Sequence, residues 1–104
     1  MQIETRTLGT PVTPAIEQEV HRAFDAALDC FETRVERVRV RILGGHGEVA
    51  ATCRVRAWCG RGQTIVIEAS GSSYQEAMQL AADGLHHAVR RRWARERALR
   101  QRLH

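Results

Sequence analysis

Two stretches of this chain alternate so regularly that they leave little choice of fold. In RVRVRIL, residues 37–43, Val38, Val40 and Ile42 point one way while Arg37, Arg39 and Arg41 point the other. In EVAATCRVRAW, residues 48–58, Val49, Ala51, Cys53, Val55 and Ala57 share one side, and Thr52, Arg54, Arg56 and Trp58 the opposite one. A period of two with one apolar side describes a strand buried on one face only. The chain must therefore build a sheet with one face to be covered and another lined by guanidinium groups. GGHG, residues 44–47, reads as the reversal between the two strands.

The remaining segments supply the cover. QIETRT, residues 2–7, alternates with Ile3 and Thr5 on one side and is a short first strand, followed by a loop from Leu8 to Val12. Thr13 then caps a helix that has Pro14 in its first position, where a missing N–H costs nothing. Ile16, Val20, Ala23, Phe24, Ala27 and Phe31 recur at three- and four-residue intervals and mark its buried side. After the second alternating strand, Cys59-Gly-Arg-Gly turns the chain and TIVIEAS, residues 64–70, forms a fourth strand. Ser73 to Glu76 is a capping box opening a second helix, whose apolar side holds Ala77, Ala81, Leu85 and Ala88, helped by Tyr74 and Met78. The order β-α-β-β-β-α predicts an α+β fold: a four-stranded mixed sheet with both helices packed on one face. The first two strands should be parallel across a right-handed connection and the last three antiparallel. With 104 residues and no linker-like stretch, one domain covering residues 1–104 is expected.

RRRWARERALRQR, residues 90–102, places seven arginines and one glutamate in thirteen positions. At 100° per residue Trp93, Leu99 and the pair Ala94/Ala98 fall on three different sides, which excludes a membrane-surface helix with one coherent apolar face. Such a segment, extending as helix or tail over residues 90–104, is either a solvated end or a charged sleeve for an anionic groove. All sixteen basic residues are arginines and the net charge is +4. Arginine's planar fork matches phosphate, so an acidic partner is expected, with nucleic acid ahead of membrane. No apolar run approaches a membrane span, and MQIETRTLGT lacks the basic-then-apolar pattern of a signal peptide, so a cytoplasmic location is expected. Cys30, Cys53 and Cys59 have neither disulfide-like nor zinc-like spacing and are assigned as reduced thiols in core packing and in a turn.

Pairing the two central strands about GGHG brings Arg37 close to Arg54, and like charges facing across strands destabilise a sheet. Either Glu4 and Glu68 on the neighbouring strands neutralise them or an anionic ligand does. Trp58 among these arginines is either a stacking surface for a base or a lid over the hairpin. His46 is either part of a plain loop or beside a backbone anion site. Histidines 21, 46, 86, 87 and 104 are scattered, and no nucleophile, base and orienting group come together. His86 and His87 diverge by about 100° on a helix and do not share a metal. Neither catalysis, metal nor cofactor is expected.

MQI at the start, VTPAI entering the first helix, CFETRVERVRV leaving it, IEASG in the last strand and EAMQLAADGLHHAVRR in the second helix together resemble the ribosome hibernation-promoting factor family. This family is also called ribosome-associated inhibitor A or sigma-54 modulation protein, and has the same element order. In the stretch Cys30 to Val35, which carries one extra residue, Arg34 takes the family's arginine role. His87 stands where relatives have an arginine, Arg91 keeps the next basic position, and Ala23 and Ala26 stand where relatives often have lysines. The resemblance implies a protein lodged in the small ribosomal subunit, against its ribosomal RNA, in the channel used by messenger and transfer RNA, silencing translation by occupation. Long members add a C-terminal dimerisation domain beyond the length of this chain, so a monomer is implied. The candidate RNA contacts are Arg34, Arg37, Arg39, Arg41, Arg54, Arg56, His87, Arg90, Arg91, Arg92, Arg95 and Arg97. General binding of structured RNA, or protein docking on the open sheet face, uses the same features.

Overall fold

A computed structural model describes residues 1–8, 12–31, 34–44 and 50–102. Strand β1 (Gln2–Leu8) is followed by helix α1 (Pro14–Leu28), a single 3-10 turn at Asp29–Phe31, strands β2 (Val35–Gly44), β3 (Ala51–Cys59) and β4 (Gln63–Gly71), and helix α2 (Tyr74–Arg102). The strands lie side by side in chain order, with β1 parallel to β2 and the other neighbours antiparallel. This is the expected mixed sheet with its two helices. The readings of GGHG, His46, Val49 and the middle of the Leu8–Val12 loop fall outside the described residues, in whole or in part.

Each helix starts where its sequence says it should. The Thr13 hydroxyl accepts a hydrogen bond from the Ile16 amide at 3.2 Å, and Ser73 does the same for Glu76 at 3.2 Å. The Glu76 carboxylate accepts from the Ser72 hydroxyl at 2.8 Å. Gly71, just before α2, is needed for closeness: a Cβ there would sit 2.9 Å from the Ala77 nitrogen and from the Glu76 Cβ. The turn between β3 and β4 puts Arg61 (φ 70°) and Gly62 (φ 71°) in the left-handed region, strained for the arginine and free for the glycine.

Val20, Phe24 and Leu28 of α1 and Ala81, Leu85 and Val89 of α2 are buried against Val38, Val40, Val55 and Ala57 of the sheet. On α2 the buried residue near the end of the apolar side is Val89, with Ala88 only half-buried, because the core stripe climbs in steps of four from Ala81 through Leu85. Cys53 and Cys59 are buried, the latter as the last residue of β3 rather than in the turn, and burial pushes the Cys53 thiol up to about 12. Cys30 departs from the core assignment and is exposed. The molecule measures 56 × 22 × 21 Å, its length set by an unbroken 29-residue α2.

Candidate nucleic-acid interface

The side of the sheet away from the helices is organised in cross-strand rows fixed by register. Gln2, Arg37, Trp58 and Thr64 make one row, Glu4, Arg39, Arg56 and Val66 the next, and Arg6, Arg41, Arg54 and Glu68 the third. Arg37 therefore faces Trp58 and not Arg54, while Arg39 faces Arg56 and Arg41 faces Arg54. The expected pairing was displaced because β2 and β3 pair only as far as Gly44 and Ala51, leaving residues 45–50 between them instead of a tight GGHG reversal. Arg6 joins the face as well. Alternation from Glu4 along β1 signals its presence there, but it was not among the predicted site residues.

The first two rows contain their own counter-charge. The Glu4 carboxylate accepts a hydrogen bond from Arg37 Nη2 at 2.6 Å and another from Arg39 Nε at 3.3 Å. The Arg37 hydrogen bond, reinforced by Arg39, holds the Glu4 carboxyl below the usual carboxylate range. Trp58 is neither a bare stacking surface nor simply a hairpin lid: the guanidinium carbons of Arg37, Arg39 and Arg56 lie 4.7, 5.4 and 5.9 Å from its ring centre. The third row has no such arrangement. Glu68 is the register partner of Arg54 but makes no ion pair with it, and Arg41 and Arg54 have no carboxylate partner among the described residues.

The second basic surface is the end of α2, and it is not evenly solvated as the isolated stretch suggests. Trp93 follows Leu85 and Val89 at four-residue steps, so the core stripe continues into the arginine-rich segment. Its ring meets Phe31 edge-on with centroids 6.2 Å apart, beneath Arg34 at 5.6 Å and Arg97 at 4.9 Å. Arg34 also forms an ion pair with Glu96 at 3.1 Å. Arg92 is half-buried against Cys59. Arg34 thus helps fasten α2 to the body, and Arg92 is half-buried beside it with Nη1 buried and without a hydrogen-bond partner, whereas Arg90, Arg91, Arg95 and Arg97 are exposed. His87 is exposed one residue beyond His86, whose Nδ1 lies 2.7 Å from the Ala27 carbonyl oxygen and ties α2 to α1. No metal-binding group of His, Cys, Asp and Glu occurs among the described residues. None of the helices described is long and apolar enough to cross a membrane.

Counterparts of the whole fold exist among solved structures. A ribosomal subunit interface protein from Coxiella burnetii matches with a TM-score of 0.77 at 14% identity, over 90% of this chain and 99% of the other. The N-terminal domain of Protein Y from Thermus thermophilus matches with a TM-score of 0.73 at 22% identity, over 88% of this chain and 98% of the other. No protein-family model and no curated relative matches the sequence. At these identities the likeness is one of fold.

Proposed function

We propose that this chain is a ribosome hibernation factor. It binds ribosomal RNA of the small subunit in the channel used by messenger and transfer RNA, and blocks translation by occupying it. The observation that carries this proposal is the agreement of fold, over 90% of the chain, with a protein named for the ribosomal subunit interface. Two arginine surfaces on one small body support it, since phosphate neutralisation is the largest sequence-independent contribution to RNA affinity. On this basis the exposed Arg41, Arg54, Arg56, Arg90, Arg91, Arg95 and Arg97 and His87 touch RNA. Arg34, Arg37 and Arg39 position their neighbours as well as adding charge, and the half-buried Arg92 adds charge. The protein works in the cytoplasm, as a monomer and without a cofactor.

Occupation predicts stoichiometry. In a purified translation system inhibition should rise linearly with protein and saturate near one molecule per ribosome. One molecule disabling many ribosomes points to an enzyme instead. In sucrose gradients the protein should travel with isolated small subunits.

General binding of structured RNA is favoured by one observation. The outward side of α1 carries Glu17, Asp25 and Ala26 against a single exposed arginine, Arg22, and offers little to an RNA groove. A several-fold excess of an unrelated folded RNA strips the protein from small subunits if binding is general, and leaves it bound if it is ribosome-specific.

A further inference from the structure

At the centre of the open sheet face, Arg39, Arg41, Arg54 and Arg56 surround a shallow basin of about 100 Å³. We propose that this basin is a seat for two linked or crowded phosphate groups, the chemistry of a pyrophosphate. It rests on the open face being a phosphate-contacting surface and not on the ribosome being the owner of the phosphates.

Register creates the seat. The four residues are two directly facing pairs on adjacent antiparallel strands, and facing side chains start only about 5 Å apart. Three of the four guanidinium groups meet a neighbour on their outward side. Arg39 is held from the β1 side by Glu4 at 3.3 Å, Arg56 lies 5.9 Å from the Trp58 ring centre, and Arg6 stands beyond Arg41 on β1. No carboxylate lines the basin. Of the two glutamates beside it, Glu4 is shared between Arg37 and Arg39, and Glu68, the register partner of Arg54, makes no ion pair with it.

Size and charge select the occupant. The basin is small and open to solvent, with room for several waters or for phosphate groups. A single phosphodiester carries one charge and leaves most of the four guanidiniums uncompensated. Two joined phosphates bring more charge and enough oxygens for several bidentate arginine forks. Such phosphates come either from a free pyrophosphate-bearing molecule or from a sharp bend in an RNA backbone.

The empty seat also has a cost, because facing like charges destabilise a sheet. An occupant that relieves this repulsion stabilises the folded state by mass action, and removal of one of the facing charges stabilises it by ending the repulsion.

Calorimetric titration and thermal melting of the whole protein with sodium pyrophosphate, at ionic strength balanced with sodium chloride, test the seat. Saturable one-to-one binding is expected, tighter for pyrophosphate than for orthophosphate or sulfate. Arg41→Gln and Arg54→Gln should each weaken it about tenfold, and Arg61→Gln in the turn between β3 and β4 should leave it unchanged. In buffer without polyvalent anions the first two variants should melt above the parent and should lose most of the rise that pyrophosphate produces. Unsaturable binding, equal binding of sulfate at matched ionic strength, or parental affinity in Arg41→Gln overturns the proposal. A labelled RNA stem-loop then separates the sources. Its displacement by pyrophosphate assigns the seat to RNA phosphates, and joint binding assigns it to a free molecule. Pyrophosphate binding by a protein that fails to travel with small subunits removes the ribosomal function and keeps the seat.

Discussion

On the open sheet face six arginines stand on three adjacent strands, with spacings set by hydrogen-bonded register. On the end of α2 seven arginines wind round one helix from residue 90 to residue 102, spaced only by helical pitch. The sheet holds its charges against one another, with Glu4 and Trp58 ordering one end and leaving the other uncompensated. The helix spreads its charges round a cylinder and fastens only the side carrying Trp93 and Glu96. A fixed lattice of charges can distinguish one arrangement of phosphates from another, whereas a charged cylinder mainly adds to the number of phosphates neutralised. Sheet substitutions should therefore change what is bound, and helix substitutions how tightly and with what salt dependence.

The largest effect is expected where the cylinder loses its exposed charge. With Arg90, Arg91, Arg95 and Arg97 all replaced by glutamine, helix propensity is nearly unchanged. The magnitude of the log-affinity against log-salt slope for ribosomes should fall by about 3, at roughly 0.7 to 0.9 per phosphate contact. Arg41, Arg54 and Arg56 changed together should lower it by about 2. An unchanged slope in the helix variant makes the end of α2 a solvated extension and transfers the contact surface to the sheet.

Trp93→Ala asks whether the fastening of α2 is structural. Trp93 is half-buried, so urea denaturation should show a loss of about 2 kcal/mol, less than for a fully buried tryptophan. Hydrogen exchange should quicken between residues 90 and 102 while the amides of β2 and β3 keep their protection. Parental exchange in that segment means that the Arg34–Glu96 ion pair suffices to hold it.

Glu4→Gln sharpens the contrast inside the sheet. Freeing Arg37 and Arg39 should raise the salt-slope magnitude for RNA by up to about 1. Because the folded carboxyl is held below its unfolded value, the stabilisation from Glu4 is complete above the ordinary carboxylate range and is lost as pH falls through the lowered value. The variant should accordingly be less stable than the parent at neutral pH, and the two should converge as pH falls through the lowered value. The smallest effect belongs to neither surface. Arg61→Gly relieves a left-handed arginine and should stabilise the protein by up to about 1 kcal/mol, read from the denaturation midpoint, with RNA affinity nearly unchanged.

What could be read from the chain follows from what alternation does and does not encode. Alternation assigns each residue to a face, so Val38, Val40 and Ile42 fall inward and Arg37, Arg39 and Arg41 outward whatever the pairing. A shift by an even number of residues preserves every face, so the pattern cannot distinguish Arg37 facing Arg54 from Arg41 facing Arg54. Only the length of the connection decides that. Trp93 escaped for a different reason: within residues 90–102 it is an isolated apolar residue, and its stripe becomes visible only when Leu85 and Val89 are included. Leu28, buried at the end of α1, lies four residues beyond Phe24 and completes the same arithmetic. The Arg34–Glu96 pair spans 62 residues and has no local signal at all.

The unbroken α2 also makes the protein a lever. Its root is gripped by the sheet through Ala81 and Leu85 and by α1 through His86 at the Ala27 carbonyl, and its tip lies many residues away without a hinge between. No proline or glycine stands between Leu85 and Arg102 to kink the rod, so a sideways load on Arg97 or Arg100 is carried back to the joint of Phe31, His86 and Trp93.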